Sequence, residues 1–261
     1  MKIALGCLLF LTLPNFALGG SFTKMDATTI YFEGMINPGD AKQLKSLINE
    51  KTKLLIVQSP GGLSWEAQEM GQYIRDADLD VVVQGSCMSA CANSLFLSGK
   101  NKYLSESFRI DRKMYDFGGI VCFHGGAVGR IDEALVDMKQ LKPSYLKDIK
   151  AKGKIELFGK VITNEKEFDD LLTLIEKTNQ RELDFLKSQK IDPKILLIHK
   201  TVGAEFACPT AAALTSLGVS GVQGEMAKKY VPHDAQIYEA DTKPATKFPS
   251  SKPNEGLKRV R

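Results

Sequence analysis

The chain has 261 residues, 43% of them hydrophobic, which is enough for one α/β domain with a sizeable core. Its formal net charge of +4 is carried by positions 241–261, which hold six basic and two acidic side chains, so the rest is close to neutral. That argues against nucleic acid as the main partner, because a binding face needs Lys and Arg clustered within the folded part.

The chain opens with Lys2, an apolar run from Ile3 to Leu13 and then Ala17-Leu18-Gly19, the three regions of a secretory signal peptide over residues 1–19. The apolar run is too short to anchor the protein in a bilayer, so no permanent membrane span is expected and the product is expected to be periplasmic or secreted. Cys7 lies too early for a lipoprotein cleavage site. Beyond the leader remain Cys87, Cys91, Cys122 and Cys208, an even number in a chain bound for an oxidising compartment, so disulfides are expected. Three full pairings are open. A bridge between the Cys87 and Cys122 segments would join the neighbourhoods of Ser89 and His124. The ligand pairs of a structural zinc site are absent, so neither a metal nor a cofactor is expected.

Thr28 to Gly34 reads as a first strand, and Asp40 caps a helix to about Glu50 with Leu44, Leu47 and Ile48 on its buried face. The run Leu54 to Gln58 is a second strand ending in Ser59-Pro60-Gly61-Gly62, followed by a helix from Ser64 to Arg75. The paired glycines Gly61 and Gly62 let the backbone approach a ligand and point amides at a substrate carbonyl. Trp65, the only tryptophan, is expected to anchor the core. A third strand, Asp80 to Gln84, runs into Gly85-Ser86-Cys87-Met88-Ser89-Ala90-Cys91-Ala92, and a helical pattern of Ala92, Leu95 and Phe96 leads out. A serine at such a turn is an N-cap in many proteins; it is also where a nucleophile is lifted off a sheet beside free helix amides. Strands alternating with helices imply a parallel sheet, with chemistry at the carboxyl ends of its strands.

Residues 105–118 mix charged and aromatic side chains without clear periodicity and read as an inserted surface loop near the site mouth. Gly119 to Phe123 is a short apolar strand with His124 at its end, a candidate general base. A helix is expected from Arg130 to about Lys150, bent or broken at Pro143, and another from Glu165 to Lys190. Ile195 to Ile198 is a short apolar run, Pro209 to Val219 a closing helix, and 239–261 a Lys-, Pro- and Ser-rich disordered tail. Residues 20–238 therefore make the folded domain.

Taken together and in this order, SPGG, the Cys-x-Ser-Ala-Cys serine motif and the strand ending in His124 resemble the Clp protease proteolytic subunit and, more widely, the Clp/crotonase superfamily, from roughly Thr28 to Gly218. The likeness is closest to exported bacterial proteins with the same serine motif. It implies a ββα superhelix with a mainly parallel sheet in a single domain, Ser89 as nucleophile, His124 as base, and the amides of Gly62 and Ala90 as oxyanion hole. It further implies a peptide or protein substrate and a projecting helical arm that serves assembly, hence a homo-oligomer. The Ser89 to His124 spacing is longer than the family's. The family's orienting aspartate would fall near Lys200 to Gly203, where this chain has no acid; Asp192 and Glu205 flank that window. Asp192, before Pro193, is explained by a turn, so a Ser89–His124 dyad is expected. The competing reading is a catalytically silent scaffold of the same fold that binds peptides or envelope proteins. Acyl-CoA chemistry, the crotonase branch, is disfavoured by the leader.

Overall fold

A computed structural model describes residues 20–125, 130–158 and 160–240, with the backbone alone for 130–134. The leader at 1–19 and the tail from 241 lie outside the described residues. Among those described, no helix is long and apolar enough to cross a membrane.

The chain is a single α/β domain on a mixed, mostly parallel eight-stranded sheet. Its first strands are β1 (Ser21–Lys24), β2 (Thr29–Glu33), β3 (Leu54–Ser59) and β4 (Asp80–Met88), with helices α1 (Asp40–Leu47) and α2 (Ser64–Asp76) between them. β1 runs antiparallel to β2, while β2, β3 and β4 are parallel, with Ile30 opposite Leu55 and Leu55 opposite Val81. The two-residue period of a strand divides the apolar runs between two faces. Ile30, Phe32, Leu55, Val57, Val81 and Val83 face α1, α2 and the helix after Ser89 in the main core. Leu54, Ile56 and Val82 point the other way, into a smaller cluster.

That second face is covered by residues read from sequence as a surface loop. They form a hairpin of β6 (Ser105–Ile110) and β7 (Lys113–Cys122) whose Ile110, Phe108, Tyr115 and Phe117 pack beneath Leu54, Ile56 and Val82. The correction has a local cause. The two-residue turn Asp111-Arg112 has both residues at positive φ without a glycine, so the usual hairpin signal is missing. β4 is shared lengthwise: its first half pairs with β5 (Lys102–Tyr103) and its last residues, Gly85 to Met88, pair in parallel with Gly119 to Cys122 of β7.

Helix α3 (Arg130–Lys152), the small hairpin β8 (Ile155–Leu157) and β9 (Lys160–Ile162), and α4 (Glu165–Ser188) form an arm with its own apolar core of Leu135, Met138, Phe168, Leu171 and Ile175. α3 runs through Pro143 unbroken; Pro143 is exposed, and so is Lys139, the residue four back whose carbonyl loses its helical donor. The chain closes through α5 (Ile198–Val202), β10 (Phe206–Pro209), α6 (Ala211–Ser216), β11 (Val222–Gln223) and β12 (Ala235–Tyr238). Thr210 caps α6 by accepting from the Ala213 amide.

Lys102 is a buried exception on this frame. Its ammonium donates to the carbonyls of Gly99 at 2.6 Å and Ser220 at 3.0 Å, and burial pushes its pKa down to about 8. The carbonyls oppose that shift by favouring the charged form. Because the folded pKa lies below the unfolded value of 10.5, the unfolded chain binds more protons between the two, so this group's contribution to stability rises with pH across that window. Comparing urea unfolding of the wild type with Lys102→Met from about pH 7 to about pH 10, the difference is expected to move toward the wild type by up to about 3 kcal/mol. A difference that stays flat would overturn this account.

Candidate active site

β4 carries a register shift against β3, with Val83 opposite Val57 but Cys87 opposite Ser59, and this bulge re-aims the strand's end. The chain then turns sharply. Ser89 has φ 53°, a left-handed conformation that strains a residue with a Cβ by roughly 1–3 kcal/mol. Two backbone bonds fix it: its amide donates to the Cys122 carbonyl at 3.0 Å, and its carbonyl accepts from the Asn93 amide at 2.9 Å. Ala90 is the N-cap of the π-helical turn Cys91–Phe96, so its amide is among the first-turn donors that have no acceptor within the helix.

The glycine pair lies directly against this elbow. A Cβ on Gly61, whose φ is +101°, would stand 2.7 Å from the Ser89 Cβ and 2.8 Å from the Met88 carbonyl oxygen. Gly62, at φ +144°, leaves no room for a Cβ beside the Ile36 backbone and lines the same cavity as Ser89. The turn is held by Ser59, whose Oγ accepts from the Gly61 amide at 3.1 Å, and by Ile36, whose amide donates to the Gly61 carbonyl at 2.8 Å. Gly61→Ala is therefore expected to displace Ser89, and for a Ser89 that reacts with a fluorophosphonate to slow that reaction by about 100-fold, the scale of an ångström-sized misplacement. Gly85→Ala is the control: φ is +69° there too, but the nearest atom is 3.5 Å away. Equal rates in the two variants would refute a role for the close approach.

His124 follows β7 through Phe123, which exchanges two backbone hydrogen bonds with Ala207 of β10. Its ring lies 4.5 Å from that of Phe206, and its Nε2 is 2.5 Å from Ser89 Oγ. With the Nδ1 tautomer the serine hydroxyl donates to Nε2, the arrangement that lets a histidine take the proton of a nucleophile.

Both residues sit next to disulfides. Cys87 and Cys91 are bonded across the Ser89 elbow, and Cys122 and Cys208 join β7 to β10 just before His124 and just after Phe206. A Cys87–Cys122 bridge is ruled out by register: Cys87 is opposite Val121 and Cys122 opposite Met88, so the two side chains leave opposite faces of the sheet.

Ser89, His124, Gly62 and Ala90 share a cavity of about 210 Å³, roofed by Leu135 and Met138 of α3, Ile175 of α4 and Phe158 of the small hairpin. Trp65 is half-buried on its wall rather than in the core, with Lys160 Nζ 5.7 Å from its ring. A larger cleft of about 700 Å³ lies beyond Trp65 and Asn93, between α2 and α4, and contains neither Ser89 nor His124. Asp192 is elsewhere: exposed, it caps a short 3-10 turn by accepting from the Lys194 amide at 2.9 Å. No carboxylate lines the 210 Å³ cavity among the described residues. His199 is buried in α5, and His233 is exposed before β12. Among the described residues, no three His, Cys, Asp or Glu side chains are grouped to hold a metal ion.

The contribution of the arm is what sequence reasoning missed. The sequence reads this region only as two helices and, by resemblance, as an arm that serves assembly, and nothing in a helical period says that Leu135, Met138 and Ile175 end over Ser89. No protein-family model matches the chain, and no curated protein matches it.

Proposed function

We propose that this protein is an exported serine hydrolase, a peptidase of the Clp/crotonase kind, with Ser89 as nucleophile and His124 as general base. The observation that carries the reading is the 2.5 Å approach of Ser89 Oγ to His124 Nε2 at a strained strand-to-helix elbow that opens on an apolar cavity. Strain kept at one residue beside a base is a common mark of a working site. In the reaction, Ser89 Oγ bonds to the acyl carbon while its proton passes to His124. The amides of Gly62 and Ala90 hold the oxyanion, and the C–N bond breaks as His124 gives that proton to the leaving amine. Water then attacks the acyl-serine by the same route in reverse, returning Ser89 and releasing the acid.

The strand, SPGG turn, helix, strand and elbow follow the superfamily's order, which supports the ββα superhelix as the finer description of the fold. The leader motif, together with two disulfides, supports a periplasmic or secreted site of action. The arm is the element on which homo-oligomerisation would rest. Mass mapping of fluorophosphonate adducts on the purified protein tests the central assignment. Label on Ser89 is expected; label on another serine, or none where a control hydrolase reacts, refutes it.

A further inference from the structure

Asn93 lies one helical turn beyond Ser89 and lines the cavity, yet it takes no part in the chemistry just described. It is only 5% exposed, and its Oδ1 has no hydrogen-bond donor among the described residues. A buried acceptor left unmet costs about 1–3 kcal/mol, so a polar group kept there asks for a donor from elsewhere. The rest of the lining narrows what could bring it. No Asp, Glu, Lys or Arg contributes to the wall among the described residues, and Leu135, Met138 and Ile175 make its roof apolar. A charged group entering would be desolvated without a counter-ion, which is strongly unfavourable. Thr178 also lines the cavity, and its hydroxyl donates to the Leu174 carbonyl at 2.8 Å, which leaves its lone pairs to accept.

We infer that this cavity is the subsite for the residue on the acyl side of the cleaved bond, and that it selects an uncharged side chain with an apolar stem and a primary amide at its tip, namely glutamine. The inference rests on the hydrolase reading above. Three features fit it. One helical turn, roughly 5 Å, separates Asn93 from the nucleophile, a span that a stem of three or four bonds covers. A primary amide is complementary to the Asn93 amide in either orientation of that group, and its second N–H can reach an acceptor such as Thr178 Oγ1. The volume of about 210 Å³ exceeds the ~150 Å³ that is sufficient for a benzene ring, so a side chain of this size enters without a clash.

The test uses peptidyl diphenyl phosphonates, identical except for the acyl-side side chain: glutamine, norleucine, glutamate and lysine. A plain fluorophosphonate serves as the reference for reactivity at Ser89. The wild type is expected to react with the glutamine probe about tenfold faster than with norleucine, its apolar counterpart, and with neither charged probe at a comparable rate. Asn93→Leu is expected to bring the glutamine to norleucine ratio to one or below, and Asn93→Asp to move the preference to lysine. Should Asn93→Leu not fold, the wild-type ratio decides by itself. A wild type that reacts with fluorophosphonate but takes norleucine as fast as glutamine, or faster, overturns this subsite and leaves the hydrolase intact. A wild type that reacts with none of the probes overturns both.

Discussion

Ser89→Ala and His124→Ala are each expected to lower the rate of fluorophosphonate labelling or peptide cleavage by about 10⁴-fold or more, as loss of either partner does in serine proteases. The acidic residues are expected to behave differently. Asp169 and Asp170 are exposed and accept from Lys142 and Lys166, Asp184 accepts from Gln180, and Asp192 caps a turn. Alanine at any of the four should leave the rate within about twofold, since a working triad aspartate is worth about 10⁴. Glu205 is the informative case, because it is half-buried and precedes Phe206, whose ring lies against His124. For a dyad, Glu205→Gln retains at least a tenth of the rate. Should it fall as far as His124→Ala while the protein stays folded, Glu205 is the third member and the dyad is wrong.

The second large effect concerns stability. Cys122 and Cys208 are 86 residues apart, and in chain-entropy terms closing a loop of that length is worth about 4–5 kcal/mol. Cys87 and Cys91 are 4 apart, for which the same relation gives about 2 kcal/mol. Against a typical domain stability of about 5–15 kcal/mol, replacing the first pair by alanine should remove a large fraction and replacing the second a small one. Equilibrium urea unfolding of the two double variants measures this directly. The reverse order would show that the long-range bridge adds little to the fold. The first variant should also label slowly, because the Cys122 carbonyl holds the Ser89 amide and Cys208 lies on the strand that carries Phe206.

How much of this was legible in the residues depended on range. The order of β3, the glycine turn, α2, β4 and the elbow follows from local signals: a β-branched run, paired glycines, then a helical period. The closing of the hairpin over Leu54 and Ile56 did not, because Asp111 and Arg112 make a tight turn without the residues that usually mark one. The disulfide pairing needed contacts between distant strands: the register of β4 against β7 excludes Cys87–Cys122, and the Phe123–Ala207 bridge sets Cys122 beside Cys208. Trp65 was misplaced for a related reason: its helix is amphipathic, but the residue sits at the helix start, where the buried stripe meets an open wall. Asp192 was correctly suspected as a turn residue from the proline that follows it.

The site draws on two separate apolar cores. Ser89 and His124 rest on the main sheet, while Leu135, Met138 and Ile175 above them belong to the arm's smaller cluster. Small units of this kind open at lower free energy than the body that carries them, so the roof can melt while the machinery beneath keeps its geometry. For the hydrolase proposed above, admission and bond-breaking then become separately adjustable traits. A softened Phe168 or Leu171 would change how often the chamber is open without touching the reacting atoms, and faster amide exchange confined to the arm would reveal it.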